Sequence, residues 1–192
     1  FHPLEDGLAA MGVSVWPMVE LEADDALASA ARIAAEDGRV QKVCIWTPDK
    51  DLAQCVRDDR VVQIDRRTNV IRNAAGVREK YGVDAELIPD YLALVGDAAD
   101  GYPGIDGIGK MTAARLVRQH GPIEDFPPSV LTERREQALL FKRLATLRTD
   151  AQLFRSVDEL EWRGPTAKFA DFVARFGDER LMVRATAAGS TH

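Results

Sequence analysis

Apolar residues recur along the chain at two spacings, one typical of helices and one typical of strands. Helical spacing marks residues 1–11, which Gly12 ends, and an alanine-rich stretch over residues 22–36. Short apolar runs predict strands at residues 13–16 and at Val43–Trp46. Because the second run is continuously apolar, we expect that strand to be buried on both faces.

The middle of the chain alternates between strand-like and helix-like segments. Residues 61–64 predict a strand, and residues 70–72 predict a second strand that pairs back across a turn. Asn73 and Gly82 are placed to cap the two ends of a helix. A further helix over residues 87–95 leads into a glycine-rich segment. Strands that alternate with helices predict an α/β fold with a mainly parallel sheet.

Two basic stretches follow the glycine-rich segment. The first lies on a helix predicted over residues 110–118, and the second lies on the segment after it. Their members are Lys110, Arg115, Arg118 and His120, then Arg134, Arg135, Lys142, Arg143 and Arg148. We interpret Arg134 and Arg135 as part of a solvated helix face. Beyond Asp150 the pattern is irregular, with a helix predicted over residues 169–176 and a frayed end over residues 187–192.

Composition narrows the class of protein. The chain has 192 residues, of which 46% are apolar, so it suits one domain or two small ones with a real core. Its formal net charge of -6 provides no overall basic field for a polyanion. Cys44 and Cys55 are expected to be reduced and buried, as is usual in the cytoplasm. No apolar run is long enough to predict a membrane span.

Seven acidic residues lie in three separated segments, and ordinary capping explains only some of them. They are Glu22, Asp24, Asp25, Asp49, Asp51, Asp97 and Asp100. If they converge, two like charges about 4 Å apart repel by roughly 4 kcal/mol in a partly buried site, so the cluster needs cations. Oxygen ligands select Mg²⁺ or Mn²⁺, and two such ions about 3.5–4 Å apart can serve phosphodiester hydrolysis.

A glycine hairpin follows the last two acids. Residues 104–109 are small and open into the basic helix, so their amides can face an anion. The plainer interpretation is an acidic loop followed by a tight turn between helices. The sequence shows no Ser-His-Asp or Cys-His pair, no Walker-type loop and no clustered Cys/His metal site.

Taken together, four segments resemble the 5′-nuclease family in order and spacing. They are Glu22-Ala23-Asp24-Asp25, Thr47-Pro48-Asp49-Lys50-Asp51-Leu52, Gly96-Asp97-Ala98-Ala99-Asp100 and Gly107-Ile108-Gly109-Lys110-Met111-Thr112-Ala113. That family includes the 5′–3′ exonuclease domain of bacterial DNA polymerase I, stand-alone bacterial 5′–3′ exonucleases and flap endonucleases. The similarity runs from about residue 1 to residue 150.

The resemblance implies a fold and a division of the chain. The fold would be α/β, with an incomplete PIN-like parallel sheet flanked by helices and followed by a helix-hairpin (helix–three-turn–helix) DNA-binding region. Residues 1–83 would be the remainder of the PIN-like nuclease domain. Residues 84–150 would be the helix-hairpin region carrying the last metal-ligand loop, and residues 151–192 a C-terminal extension.

The resemblance also implies roles by position. The first metal ion would be served by Glu22, Asp24 and Asp25, and the second by Asp49, Asp51, Asp97 and Asp100. The catalytic residues among these would be Asp24, Asp49 and Asp97. Phosphates of the uncut duplex would be held by Gly107, Ile108, Gly109, Lys110 and Thr112. The implied cofactors are two Mg²⁺ or Mn²⁺ ions, with K⁺ at the helix-hairpin.

Two departures from the family pattern matter. Ala99 and Gly101 stand where the family usually has Ser and Asn, which removes a hydroxyl and an amide near the metal ligands. The family also begins with an aspartate-bearing strand, a second aspartate and a basic helical arch, which these 192 residues lack. We therefore expect the complete protein to be active and this chain alone to be inactive or nearly so.

The expected function is metal-dependent 5′–3′ exodeoxyribonuclease or flap endonuclease-like hydrolysis of DNA near a 5′ flap or 5′ end. We expect a cytoplasmic monomer with no membrane contact and with a DNA polymerase as a candidate partner. Three alternatives stay open: a non-catalytic, structure-specific DNA-binding module, a metal-dependent RNase of the PIN superfamily, and a purely structural α/β domain. Exo versus endo preference, metal identity and fusion to a polymerase are also open.

Overall fold

The computed structural model describes residues 2–177 and 179–189, and within them α-helices flank a small sheet. The elements are α1 (His2–Ala10), α2 (Ala23–Glu36), β1 (Val43–Trp46), β2 (Val61–Asp65), β3 (Val70–Arg72), α3 (Ala74–Tyr81), α4 (Ile88–Val95), α5 (Lys110–His120), α6 (Pro128–Leu131), α7 (Arg135–Ala145), α8 (Lys168–Phe176) and α9 (Glu179–Gly189). Short 3₁₀ turns lie at Asp51–Cys55, Ala85–Leu87, Ile123–Asp125, Thr132–Arg134 and Val157–Leu160. In the described part of the chain, no helix is both long and apolar enough to cross a membrane.

The chain folds as two compact units. One unit is Leu21–Ala151, and the other combines Phe1–Glu20 with Gln152–His192. The larger unit contains the sheet, the acidic segments and the glycine hairpin, so the candidate site lies within this unit. The division into residues 1–83, 84–150 and 151–192 stays a prediction.

The sheet has the order β1-β2-β3 and joins a parallel pair to an antiparallel hairpin. In the parallel pair Val43 lies opposite Val61, and in the hairpin Ile64 lies opposite Ile71. The pairing of β3 back onto β2 is therefore confirmed. Residues of β2 are buried almost throughout because β1, β3 and the 3₁₀ turn Asp51–Cys55 pack against this strand.

One face of β1 is open, contrary to the prediction that the strand is buried on both faces. Only Ile45 is buried, whereas Cys44 is exposed and Trp46 is 60% exposed. Successive side chains of a strand point to opposite faces, and the described elements cover only the face that carries Ile45. The expectation that Cys44 is buried was therefore also wrong. Cys55 is half-buried, and burial raises its thiol pKa to about 12.

Two apolar clusters in the larger unit hold the acidic segments in place. The smaller cluster joins α2 to the sheet through Ala31, Ile45, Leu52 and Val61. The larger one lies among α3, α4, α5 and α7, where α4 is buried along nearly its whole length. Because the loop that follows α4 begins in this core, packing holds the first residues of the loop in place.

The ends of α3 follow the predicted capping chemistry. The Asn73 side chain accepts a hydrogen bond of 3.0 Å from the amide of Gly76, and Gly82 ends the helix with a φ of 76°. A side-chain acceptor satisfies a free amide at the helix start, and glycine adopts the left-handed conformation at the end without a steric cost. Both predicted caps are confirmed.

Three predictions about the smaller unit have different outcomes. Residues 13–16 do not form the predicted strand; Trp16 instead stacks its ring on Phe154 at 5.9 Å, so side-chain packing replaces strand pairing. The predicted helix over residues 169–176 is confirmed as α8. The predicted frayed end was wrong for residues 187–189, which continue α9, while Phe1 and residues 190–192 lie outside the described residues.

Arg134 and Arg135 do not form a solvated face. The Arg134 guanidinium donates to the carbonyl of Asp106 at 2.6 Å, and Arg135 donates to the carbonyls of Phe126 and Glu124. Backbone carbonyls in turns and at helix ends have no donor within a helix, and a long arginine side chain can supply one. Arg134 thereby ties the segment before α7 to the glycine hairpin.

A buried ion pair joins α4 to α7. Asp90 is 1% exposed, and its Oδ1 accepts hydrogen bonds from Lys142 Nζ at 2.8 Å and from the amide of Ile123 at 2.7 Å. Burial raises the pKa of Asp90, and the hydrogen bond from Lys142 opposes that rise. Lys142 also contacts Glu124 at 2.6 Å. The ion pair therefore keeps a costly buried carboxylate satisfied.

We predict that Lys142→Met destabilises the protein by about 3–5 kcal/mol, because it leaves the Asp90 carboxylate buried without its cation. Urea denaturation at neutral pH measures the change. The double variant Asp90→Asn with Lys142→Met should be more stable than Lys142→Met alone, since no buried charge is left. Arg143→Ala, at the exposed neighbouring position, is the control and should change stability by less than about 0.5 kcal/mol. Equal stability of Lys142→Met and the control would contradict the prediction.

Candidate metal centre

The loop that carries Asp97 is closed by two glycines and two hydrogen bonds. The amide of Asp97 donates to the carbonyl of Tyr102 at 2.8 Å, and the amide of Tyr102 donates back at 3.0 Å. Gly96 and Gly104 pack against each other: a Cβ on Gly96 would lie 2.4 Å from the carbonyl carbon of Pro103, and one on Gly104 would lie 2.4 Å from the Gly96 nitrogen. Both have positive φ, 88° and 76°. The close approach therefore requires glycine at both positions.

The loop after β1 is folded by its own polar side chains. The Asp49 amide donates to Thr47 Oγ1 at 3.1 Å, and the Asp51 amide donates to Asp49 Oδ1 at 3.1 Å. Gln63, which is fully buried in β2, donates from its side chain to the Asp49 carbonyl. This turn leaves Asp49 exposed and places Asp51 inside, at 6% exposure. The Asp49 side chain therefore has a local role, because it accepts a hydrogen bond within the turn, whereas Asp51 makes no such contact with the turn's amides in the described structure.

Three of the predicted acids meet at one point. Asp51, Asp97 and Asp100 each offer a carboxylate oxygen, and these oxygens all lie within 4.8 Å of one another. Burial raises the pKa of Asp51 strongly, and a hydrogen bond with Asp100 and the charge of Asp100 raise it further. Within the part of the chain described, Asp51 Oδ1 is buried and has no hydrogen-bond partner. A hard divalent cation fits this donor set, because it would neutralise the carboxylates and take the unpartnered oxygen as a ligand.

Asp24 borders this cluster from the start of α2. Burial and then the charges of Asp49, Glu22, Asp100 and Asp25 together raise its pKa to about 6. Because charge interactions are screened little in a partly buried site, Asp24 lies within the electrostatic field of Asp49 and Asp100. The structure thus groups Asp51, Asp97 and Asp100 most closely and places Asp24 and Asp49 beside them.

Glu22 and Asp25 have local structural roles. Asp25 accepts from the Glu22 amide at 3.2 Å with one oxygen, and from the Arg148 amide at 2.8 Å with the other. Glu22 is exposed at the N-cap of α2. Both carboxylate oxygens of Asp25 are therefore already engaged with backbone amides, and the assignment of these two residues as metal ligands stays a prediction.

Two neighbours of the cluster were not singled out from the sequence. Lys50 Nζ lies 2.5 Å from Asp97 Oδ2, and Asp97 is only 3% exposed. Burial alone would raise the pKa of Asp97, but hydrogen bonds from Lys50 and from the Ala99 amide lower it below its usual value. Tyr102 is buried beside the cluster, and burial followed by the charge of Asp51 raises the pKa of its hydroxyl. The position of Lys50 between Asp49 and Asp51 could have indicated that it lies at the site, whereas no local sequence pattern places Tyr102 there.

The glycine hairpin forms an open surface in the same unit. The amide of Ile105 donates to the Leu94 carbonyl at 2.9 Å, which anchors the hairpin to α4. Gly107 and Gly109 are exposed, and a Cβ added at either would meet no atom within 4 Å. Lys110, also exposed, begins α5 directly after them. A phosphate strand could therefore approach the backbone here without obstruction.

The remaining two predicted DNA contacts flank this surface. Ile108 is half-buried and packs against the larger apolar cluster, and Thr112 is half-buried in the first turn of α5. The neighbouring Met111 is 84% exposed. The assignment of this segment to DNA binding stays a prediction.

Two family models match consecutive parts of the chain. The first, the 5′-3′ exonuclease N-terminal resolvase-like domain, matches residues 1–82. The second, the 5′-3′ exonuclease C-terminal SAM fold, matches residues 83–168. The chain belongs to the 5′–3′ exonuclease family. The resemblance seen in the sequence and the α/β fold it implied are thereby confirmed.

Relatives of this family extend beyond the chain. It is 36% identical over 177 residues to DNA polymerase I of Pseudomonas aeruginosa, an alignment that covers 83% of the chain and 19% of the polymerase. It is 35% identical over 159 residues to a 5′-3′ exonuclease of Aquifex aeolicus, covering 78% of the chain and 54% of the exonuclease. The chain thus spans less than two thirds of either relative.

A solved structure shares the fold. It is a bacteriophage T5 flap endonuclease in a pseudo-enzyme-product complex with DNA and metal ions. The TM-score is 0.60 at 20% sequence identity, and the match covers 90% of this chain and 60% of the phage protein. At this identity the likeness extends to the fold and not to individual residues.

We predict that Asp51→Asn stabilises the protein in EDTA by about 1–3 kcal/mol and abolishes its stabilisation by Mn²⁺. A carboxyl whose pKa is raised in the folded state destabilises that state when it ionises near neutral pH, and the amide carries no charge to bury. Urea denaturation at pH 7, in EDTA and in excess Mn²⁺, measures both effects. The exposed Glu133→Gln is the matched control and should respond to Mn²⁺ as the unchanged protein does. Full Mn²⁺ stabilisation of Asp51→Asn would contradict the metal role.

Proposed function

We propose that this chain belongs to a DNA hydrolase that cleaves phosphodiester bonds near a free 5′ end with the help of divalent metal ions. The observation that carries the proposal is the convergence of Asp51, Asp97 and Asp100, from segments far apart in sequence, on one point. Membership of the 5′–3′ exonuclease family supports it. The phage relative bound to DNA and metal ions supports the substrate class and the metal requirement.

In this proposal Asp51, Asp97 and Asp100 would hold one Mg²⁺ or Mn²⁺ ion, and Asp24 and Asp49 would contribute to a second. The chemistry supplied by divalent ions at such a site is neutralisation of charge on the phosphate and a more acidic water. The carboxylates fix where that charge is placed, since their loops are anchored to the core through Gly96 and the buried Gln63.

Lys50 has a positioning role in the same proposal. Its ammonium group lies against Asp97 and keeps that buried carboxylate ionised and in place. Asp24, Asp49 and Asp97 are the residues we propose as catalytic, because the resemblance to the 5′-nuclease family assigns that role to these positions.

The glycine hairpin is the proposed grip on the duplex. Gly107 and Gly109 expose backbone, and Lys110 adds a charge at the start of α5. Contacts of this kind hold phosphates and carry no sequence information. A K⁺ ion at this hairpin, a DNA polymerase as partner, a monomeric state and a cytoplasmic location stay predictions.

We predict that Asp49→Asn and Asp97→Asn each lower cleavage by the full-length protein by at least about 100-fold, because each removes a charge that holds a metal ion. The assay is Mg²⁺-dependent cleavage of a duplex with a 5′ flap. Duplex affinity in EDTA should change by less than about threefold in either variant, since the hairpin is untouched. Normal turnover by either variant would contradict the proposed mechanism.

We predict that Lys110→Ala weakens duplex binding in EDTA and reduces the salt dependence of binding by about one charge, because it removes one phosphate contact. Fluorescence anisotropy over a range of salt concentrations measures the slope, and Lys42→Ala, an exposed lysine before β1, is the control.

Binding without any cleavage by the full-length protein would favour a non-catalytic DNA-binding module. Preferred cleavage of RNA over DNA would favour an RNase.

A further inference from the structure

A second cavity lies beside the acidic centre and has the opposite charge. It encloses about 370 Å³, and its polar lining is Lys50, Lys80, Lys110, Tyr81 and Tyr91. Leu92 and Val95 of α4 form its apolar wall. We call this space the lysine cavity. Because Lys50 lines it and also contacts Asp97, the lysine cavity and the carboxylate cluster share a wall.

Three lysines, Lys50, Lys80 and Lys110, line the lysine cavity, and its described lining contains no acidic side chain. Burial lowers the pKa of Lys80, and repulsion from Arg72 and from Lys50 lowers it further, while Asp65 opposes the effect. Arg72 lies 3.8 Å from Asp65, and Lys50 lies against Asp97. Like charges held together in this way repel, and an anion between them relieves the repulsion.

A buried donor without a partner lines this cavity. Tyr81 is 9% exposed, and among the described residues its hydroxyl has no hydrogen-bond partner. Burial raises the pKa of this hydroxyl, the positive charges of Arg72 and Lys50 lower it, and Asp51 and Asp49 raise it. A buried donor left unsatisfied costs free energy, which an acceptor oxygen would recover.

The ring arrangement keeps this hydroxyl in place. Tyr81 and Tyr91 pack edge to face with their centroids 5.8 Å apart, and Lys80 Nζ lies 4.8 Å from the centre of the Tyr81 ring. Tyr81 also closes α3, whose end is fixed by Gly82. The donors are thus preorganised, which lowers the entropic cost of binding an anion.

We propose that the lysine cavity binds a phosphate group of a nucleic acid strand. Phosphate accepts several hydrogen bonds at once, which matches an ammonium group and a tyrosine hydroxyl converging on one space. The apolar wall of Leu92 and Val95 suits the sugar of the same nucleotide. This proposal deepens the nuclease function, since a phosphate held there lies next to the carboxylates proposed to hold the metal ions.

The experiment measures DNA binding by the full chain in EDTA, where no cleavage occurs. The probes are a short single-stranded DNA with a 5′ phosphate and the same strand with a 5′ hydroxyl. The variants are Lys80→Met and Tyr81→Phe, and the control is Lys42→Met at an exposed position outside the cavity. We expect Lys80→Met to weaken binding about tenfold and Tyr81→Phe about threefold or more, with the control unchanged.

The two probes identify the source of the phosphate. A loss confined to the 5′-phosphorylated strand supports a terminal phosphate in the cavity, and an equal loss for both strands supports an internal diester. Tyr81→Phe should not lower the stability of the protein, because its hydroxyl makes no hydrogen bond in the described structure. Unchanged affinity of both variants for both strands would overturn the proposal.

Failure of this proposal is distinguishable from failure of the nuclease function. Binding in EDTA that depends on Lys80 and Tyr81, together with no Mg²⁺-dependent cleavage by the full-length protein, would leave the phosphate site and remove the nuclease assignment. Cleavage that depends on Asp97, together with unchanged binding by the Lys80 and Tyr81 variants, would do the reverse.

Discussion

Repulsion among closely spaced carboxylates is the constraint on which the candidate site depends. Asp51 and Asp97 are buried and Asp100 is exposed, and one carboxylate oxygen of each lies within 4.8 Å of the others. Gly96 and Gly104 approach too closely for any side chain, and the 3₁₀ turn after β1 directs Asp51 inward. The apolar core supplies the free energy that keeps this arrangement folded, and the site keeps an unfavourable charge distribution that a cation would relieve.

The protein balances part of that charge with its own side chains. Lys50 neutralises Asp97 from one side, and the backbone amide of Ala99 donates to the same carboxylate. No such partner is found in the described structure for Asp51 Oδ1. Against the effect of burial, hydrogen bonds from Lys50 and from the Ala99 amide lower the pKa of Asp97, whereas burial, a hydrogen bond with Asp100 and the charge of Asp100 all raise the pKa of Asp51. The charge of Asp97 is therefore compensated, and ionisation of Asp51 is costly.

Opposite charges are concentrated on the two sides of Lys50. The carboxylate cluster lies on one side, and the lysine cavity, with Lys80 and Lys110, lies on the other. The net charge of -6 conceals this separation, because it sums over the whole chain. A substrate phosphate and a divalent cation would each meet a complementary surface, and Lys50 would contact both. The local charge distribution, and not the net charge, would allow this acidic protein to bind the proposed polyanionic substrate.

Features that depend on neighbouring residues were predictable from the sequence. The caps of α3 at Asn73 and Gly82, the β2–β3 hairpin and the family motifs around Asp49 and Asp97 were all predicted, because each rests on local backbone chemistry or on a spacing along the chain. Three features could be seen only in the folded protein. They are the covered face of β1, the hydrogen bonds from Arg134 and Arg135 to carbonyls of other turns, and the cavity in which Lys50, Lys80 and Lys110 lie beside Tyr81. These outcomes depend on which segments pack together, and burial and electrostatic neighbours are properties of that packing which no local pattern encodes.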